Sequence, residues 1–181
     1  MPIDRARVLA IFEALGSKLS QPTTLCLIGS TPAIMLGQDE RQTHDIDVWQ
    51  PGSDYDSGEL ARVCQEIGIL FDPKGELDPE AVYLQIVRPG TVSLQPAIGI
   101  EAIARFGKLT VAIPPPAIIV ASKLTRATER DIEDVVWWVR QRALEPDAVE
   151  EAIGMLPRTV DREAARDNMI IVRLVTSEGR K

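Results

Sequence analysis

Two aspartates within one short segment restrict the fold more than any other feature of this 181-residue chain. From Asp45 to Val48, polar and apolar residues alternate, which predicts a half-buried β-strand. Because side chains two apart on a strand point to the same face, Asp45 and Asp47 share one side, and Ile46 and Val48 face a core. Two neighbouring carboxylates repel each other unless a cation lies between them, so the pattern indicates a cation site.

A glycine-serine pair precedes these aspartates by about one short helix. The apolar run 25–28 ends at Gly29-Ser30, and the apolar segment 33–36 follows. We interpret this order as strand, tight turn, helix and strand. Backbone N–H groups at the start of a helix can bind an anion, and carboxylate oxygens suit Mg²⁺ that is shared with a substrate's phosphates. A phosphate site beside a divalent-metal site indicates phosphoryl or nucleotidyl transfer.

The combination resembles the signature of the nucleotidyltransferase superfamily typified by DNA polymerase beta: Gly-Ser or Gly-Gly, a short helix, then Asp-x-Asp on the next strand. Residues 41–47, Arg-Gln-Thr-His-Asp-Ile-Asp, are similar to the Arg-x-Ser/Thr-x-Asp-x-Asp form of abortive-infection and toxin–antitoxin nucleotidyltransferases. The resemblance implies an α+β fold, with a small mixed β-sheet flanked by helices and a C-terminal helical part. It implies that Asp45 and Asp47 are catalytic and bind Mg²⁺ or Mn²⁺, and that Gly29 and Ser30 bind the nucleotide.

A second motif lies in residues 123–134. Lys123, Arg130, Asp131 and Asp134 match the "Lys…Arg-Asp-x-x-Asp" helix-pair element of the same families. There the lysine and the acidic residue lie near the nucleotide, so the resemblance implies that Lys123 assists nucleotide binding. The alternative is structural: Arg130 and Asp134 are four apart on a helix and can form a surface ion pair.

One part of the superfamily pattern is missing. Active members usually carry a third carboxylate on a later strand, beside the Asp pair, which helps to hold a second metal ion. The matching strands of this chain offer Gln85, Ser93 and Gln95 instead, and Glu101 follows them. A neutral amide does not supply the charge that holds a cation, so we expect one metal ion to bind better than the second.

Periodicity and turn residues predict the remaining elements. Pro114-Pro115-Pro116 divides the chain into a nucleotidyltransferase-like α/β core, 1–113, and a helical extension packed on it, 114–181. In the core we predict helices at 2–18, 31–36 and 56–68, a loop at 69–80, a hairpin of strands 81–87 and 91–96, and strands at 23–28, 44–49 and 109–113. In the extension we predict helices at 117–125, 131–142, 146–155 and 161–175, although the β-branched residues within 169–175 leave a strand open.

Composition restricts the cellular setting. The net charge of −7 does not favour tight, non-specific binding to nucleic acid. No run of eighteen apolar residues and no secretory signal are present, so we expect no membrane association and a cytoplasmic location. Cys26 and Cys64 lie far apart in apolar patterns and are predicted to be buried free thiols.

Two functions follow from these patterns. The first is a metal-dependent nucleotidyltransferase that moves NMP from an NTP to an RNA, protein or small-molecule hydroxyl, in a toxin–antitoxin or phage-defence system. The second is a catalytically inactive protein of the same fold that binds a nucleotide or a partner protein, as an antitoxin or regulatory subunit. The acidic surface suits a protein partner, such as a cognate toxin or antitoxin, at least as well as RNA.

Overall fold

The computed structural model describes residues 3–75, 78 and 80–179, which form eight α-helices and six β-strands. The helices are α1 Arg5–Lys18, α2 Thr31–Met35, α3 Ser57–Glu66, α4 Pro116–Leu124, α5 Glu129–Gln141, α6 Pro146–Gly154, α7 Thr159–Asp167 and α8 Ile170–Glu178. The strands are β1 Thr23–Cys26, β2 Asp45–Trp49, β3 Leu70–Phe71, β4 Tyr83–Val87, β5 Glu101–Phe106 and β6 Leu109–Ile113. The predicted α+β class is confirmed, but the strands form two small sheets flanked by helices and not the single mixed sheet that was predicted.

The chain divides into two compact units. Unit 1 comprises Met1–Arg88 and Gly99–Pro114, and unit 2 comprises Pro89–Ile98 and Pro115–Lys181. Unit 1 therefore contains all six strands with α1, α2 and α3, and unit 2 contains the five later helices. The break at Pro114 coincides with the proline run, but the segment 89–98 belongs to the helical unit.

Unit 1 contains two three-stranded sheets. In the first, β6 lies between β1, to which it is parallel, and β5, to which it is antiparallel. In the second, β4 lies between β2 and β3, and all three strands are parallel. An antiparallel bridge between Leu27 and Val48 joins the two sheets, and the Ile28 N–H donates to the Asp47 carbonyl at 3.0 Å. This bridge brings the end of β1 against the middle of β2.

The core of unit 1 lies between these sheets and the helices. α1 buries one face, and Asp4 caps its N-terminus by accepting from the Arg7 N–H at 2.9 Å. The inward face of β2 is fully buried at Ile46 and Val48. Cys26 and Cys64 are buried free thiols, as predicted, and burial raises the pKa of each to about 12.

Unit 2 is built around α4, which packs against α5, α6 and α7. Its segment 89–98 is held by Ser93, whose hydroxyl donates to the Asp161 carboxylate at 2.6 Å. Arg158 donates to the same carboxylate at 2.6 Å. Residues 170–178 are helical. The segment 169–175, for which both helix and strand were open, is therefore helical except at Met169.

One predicted strand is absent, and two strands that were not predicted are present. Residues 91–96 form no strand, because both edges of β4 are already paired with β2 and β3, which leaves no edge for a hairpin partner. β5 was missed because none of its residues is buried and its apolar alternation is weak. β3 lies in the predicted loop 69–80, of which residues 76, 77 and 79 are outside the described residues.

Among residues 3–75, 78 and 80–179, no helix combines the length and the apolar character needed to cross a lipid bilayer.

Candidate functional site

Asp45 and Asp47 lie on one face of β2. Both are half-buried, whereas Ile46 and Val48 between and beyond them are fully buried. The predicted strand and its alternation are therefore confirmed. The two carboxylates stand side by side on the face opposite the core, which is the arrangement that a cation would stabilise.

The glycine-serine bend lies directly against this face. Gly29 has a φ of +71°, and a Cβ at this position would overlap Oδ2 of Asp47 and lie 3.3 Å from its Cγ. Glycine is therefore required both for the left-handed backbone and for the space that the carboxylate occupies. Ser30 is the N-cap residue of α2, and the Thr31 hydroxyl donates to the Asp45 carbonyl at 3.3 Å. The four residues predicted from the first motif are thus brought together.

Thr43 fixes the orientation of the first aspartate. Its hydroxyl donates to Oδ1 of Asp45 at 2.6 Å. Thr43 is itself buried and is held by two backbone hydrogen bonds with Ile3, at 2.6 and 3.1 Å. This contact gives a physical reason for the threonine two positions before Asp45, to which the motif alone assigned no role.

Two residues of β4 complete the face. Tyr83 lies in register with Asp45, and Gln85 lies in register with Asp47. Burial raises the pKa of the Tyr83 hydroxyl, and the charges of Asp45 and Asp47 raise it further. Gln85 thus places a neutral amide beside the Asp pair, and it donates from Nε2 to Asp72 at 2.7 Å.

Asp72 is a carboxylate that the sequence did not single out. It follows β3 with a φ of +41°, and it accepts from Arg88 at 2.7 Å and from Lys74 at 3.1 Å. Burial alone would raise its pKa, but these hydrogen bonds outweigh burial and hold the pKa below its usual value. Its charge is therefore compensated by its own neighbours. Across the described part of the chain, no group of three or more His, Cys, Asp and Glu side chains is placed to hold a metal ion.

Lys123 belongs to unit 2, whereas Gly29, Ser30, Asp45 and Asp47 belong to unit 1. The side chain is only 8% exposed. Its ammonium lies 2.7 Å from Oδ2 of Asp134 and 3.7 Å from Oδ1 of Asp131. Within unit 2 this lysine therefore joins α4 to α5 through a buried ion pair.

The aspartate that the structural alternative places in a surface ion pair is not at the surface. Asp134 is fully buried and its Oδ2 lies 2.7 Å from the Lys123 ammonium, whereas Arg130 is exposed. Asp131 is also buried, and it accepts from Arg126 and from the Thr128 hydroxyl at 2.8 and 2.7 Å. Most of the motif thus builds the contact between α4 and α5.

We call the side of β2 and β4 that carries Asp45, Asp47, Tyr83 and Gln85 the carboxylate face. The Tyr83 hydroxyl provides a test of this face that does not depend on any activity. The chain has two tyrosines, so Tyr55→Phe leaves Tyr83 as the only phenol that titrates. In that background we expect Asp45→Asn to lower the pKa of Tyr83, because a neighbouring negative charge is removed, while burial keeps the pKa above its ordinary value. Ultraviolet absorbance of the phenolate against pH measures the shift.

The control for this titration is Asp39→Asn, at an exposed position outside the face. It should leave the pKa of Tyr83 unchanged. Equal titration curves for Asp45→Asn and its parent would show that the carboxylate and the phenol are not neighbours.

Comparisons of this chain with protein-family models, curated proteins and solved structures found no match. The function must therefore be inferred from the geometry of the face itself. Two carboxylates, a glycine bend and an oriented threonine together offer oxygen ligands beside backbone N–H groups, a combination suited to a divalent cation and a phosphate chain.

Proposed function

We propose that this protein is a metal-dependent nucleotidyltransferase that moves NMP from an NTP to a hydroxyl group of an RNA, a protein or a small molecule. The observation that carries the proposal is the packing of the Asp47 carboxylate over Gly29, with Asp45 on the same face of β2. Mg²⁺ in nucleotide enzymes is commonly bound by one or two carboxylates together with substrate phosphates. The two aspartates therefore suffice for one ion, and Mn²⁺ suits the same ligands.

Each residue of the face has a part in this proposal. Asp45 and Asp47 hold the divalent cation, and Thr43 keeps the Asp45 carboxylate in place. The backbone at Gly29 and Ser30 binds the β- and γ-phosphates. The bound cation supplies charge neutralisation at the α-phosphate. The acceptor oxygen forms a bond to the α-phosphorus, the bond to the β-phosphate oxygen breaks, pyrophosphate leaves, and the hydroxyl proton passes to solvent.

A second function is favoured by one specific observation. Gln85 stands in register with Asp47, and its amide donates to Asp72. A site without a carboxylate here holds a second metal ion poorly, which suits a catalytically inactive module that binds a nucleotide or a partner protein. A cognate toxin or antitoxin is the partner class that this alternative implies.

Transfer from an α-labelled NTP separates the two functions. The protein is incubated with each of four NTPs, Mg²⁺ or Mn²⁺, and RNA, protein and small-molecule acceptors. Label on an acceptor that is lost with Asp45→Asn and retained with Asp39→Asn supports the transferase. Thermal stabilisation by metal and NTP without transfer supports the nucleotide-binding module. No stabilisation by any NTP overturns the transferase and the nucleotide-binding module, and leaves only the module that binds a partner protein.

Gly29→Ala tests the contact between the bend and Asp47. The left-handed φ predicts a loss of about 1–2 kcal/mol of unfolding free energy, measured by urea denaturation. Because the new methyl group must displace the Asp47 carboxylate, we also expect the variant to lose its thermal stabilisation by Mg²⁺ and NTP.

Gly68→Ala is the matched control for this substitution. Gly68 has a φ of +76°, and nothing lies within 4 Å of a Cβ placed there. It should show a similar loss of unfolding free energy and an unchanged response to metal and NTP. Equal ligand responses in the two variants would count against the proposed phosphate and metal site.

A further inference from the structure

A polar cleft of about 390 Å³ lies in unit 1, at the carboxyl ends of the three parallel strands β2, β3 and β4. Its walls come from residues near the ends of those strands: Asp54, Tyr55 and Ser57 between β2 and the first turn of α3, Phe71 and Asp72 at the end of β3, and Arg88 after β4. In open α/β sheets, ligands bind preferentially in the crevice at this edge. The volume lies within the range of small-molecule sites.

The charged groups of the cleft are fixed in place. Arg88 donates from one terminal nitrogen to Asp72 at 2.7 Å and from the other to the Ile86 carbonyl at 3.2 Å. Its side chain is 50% exposed, so the guanidinium is oriented and still faces the cleft. The Asp54 backbone is held by two hydrogen bonds with Thr24, at 2.8 and 2.9 Å. The cleft thus offers hydrogen-bond donors and acceptors without further ordering.

The balance of these charges selects an uncharged ligand. An anion in the cleft would face Asp54 and Asp72, and a cation would face Arg88, with Lys74 bound to Asp72 nearby. A neutral group that carries both donors and acceptors can pair with Arg88 and Asp54 at the same time.

Two half-buried aromatic rings, Tyr55 and Phe71, line the same cleft. Burial raises the pKa of the Tyr55 hydroxyl, Arg88 lowers it and Asp72 raises it, so this phenol is neutral at physiological pH and lies close to both charged groups. Aromatic side chains stack on nucleobases whatever the base, since every base has a π-face. A planar, polar and uncharged ring system can stack on Tyr55 and Phe71 and hydrogen-bond to Arg88 and Asp54.

A chain of contacts connects the cleft with the carboxylate face. Gln85 lies in register with Asp47, its amide donates to Asp72, and Asp72 binds Arg88. We infer that the cleft binds the nucleoside half of the nucleotide whose phosphates lie at Gly29 and the two aspartates. The inference rests on the proposed function and adds to it the place of base and ribose.

Binding of phosphate-free ribonucleosides tests the inference, because these probes make no use of the metal site. Isothermal titration of the four ribonucleosides should show saturable binding of at least one. Both Arg88→Gln and Tyr55→Leu should weaken that binding by roughly tenfold or more. Arg62→Gln, at an exposed ion pair on α3, should leave it unchanged.

The outcomes separate this inference from the proposed function. Nucleoside binding that survives Asp45→Asn but is lost in the two cleft variants supports the cleft assignment. If no nucleoside binds while Mg²⁺-dependent NTP binding persists in Arg88→Gln, the cleft assignment is overturned and the transferase proposal stands. If glucose binds in the cleft and nucleosides do not, the ligand class is wrong. Nucleoside binding without any NTP transfer overturns the transferase alone.

Discussion

Lys123→Met is expected to lower the free energy of unfolding by about 3–5 kcal/mol, because it leaves a buried carboxylate without its cation. Asp134 is fully buried, and the Lys123 ammonium lies 2.7 Å from it. A carboxylate transferred from water to this environment loses its hydration and regains little without a positive partner. The methionine retains the length and most of the packing of lysine, so the loss reports the charge.

Urea denaturation of the whole chain measures the effect, and Lys18→Met is the matched control. Lys18 pairs with Glu66 at 3.4 Å, but its side chain is 45% exposed. Solvent screens such a pair, so Lys18→Met should lower the free energy of unfolding far less than Lys123→Met does. Equal losses for the two substitutions would show that the buried pair contributes no more than a surface pair.

A double substitution identifies the source of the loss. Lys123→Met combined with Asp134→Leu removes both charges and should recover a large part of the stability, because an apolar pair of similar volume replaces a buried ion pair with little cost. If the double variant is less stable than Lys123→Met alone, Asp134 stabilises the fold through a contact other than Lys123.

The double variant also tests whether Lys123 assists nucleotide binding, as the sequence resemblance implies. At a temperature where the double variant remains folded, its thermal stabilisation by Mg²⁺ and NTP can be compared with that of the unmodified chain. An unchanged response assigns Lys123 to structure alone. A lost response, with the fold intact, assigns it to nucleotide binding as the resemblance implies.

Local patterns were sufficient to predict β2 and the two elements that precede it, β1 and α2. The alternation from Asp45 to Val48 reports which face of a strand is buried, and this depends only on the strand's own side chains. The helices α4, α5 and α6 were predicted for a similar reason, since apolar spacing and N-terminal prolines act within a few residues. The single helix predicted over 161–175 was wrong, because the chain forms two helices there, α7 and α8, with residues 168 and 169 between them.

The remaining features depend on pairing over long distances in the sequence. The hairpin at 81–96 has good local signals, but β3 and β2 occupy both edges of β4, and no pattern within 81–96 reveals this. The role of Asp72 has the same origin: its partners Gln85 and Arg88 come together with it only when β3 pairs with β4. The burial of Lys123 likewise required the contact between α4 and α5.

Asp47→Asn is expected to reduce NMP transfer by roughly 10²–10³-fold, the effect typical of removing one preorganised group that stabilises charge in a transition state. The substitution preserves the shape of the side chain and removes one negative charge. Because β2 carries two carboxylates on this face, one of the two charges that the strand offers to the cation is lost. Asp45→Asn should have an effect of similar size, and its Oδ1 can still accept from Thr43.

A binding measurement shows whether the loss comes from the cation. If metal and NTP are supplied at about 100 times the dissociation constant, the unmodified chain gains about 2.7 kcal/mol of stability by mass action. Asp47→Asn should gain much less at the same concentrations, and Asp39→Asn should gain the full amount. Full stabilisation of Asp47→Asn together with lost transfer would mean that Asp47 acts on the reacting phosphate and that another group holds the cation. In that case Gly29→Ala, whose new Cβ would overlap the Asp47 carboxylate, should still bind metal and NTP but fail in transfer. If Asp47 is a metal ligand, Gly29→Ala should instead lose its binding of metal and NTP.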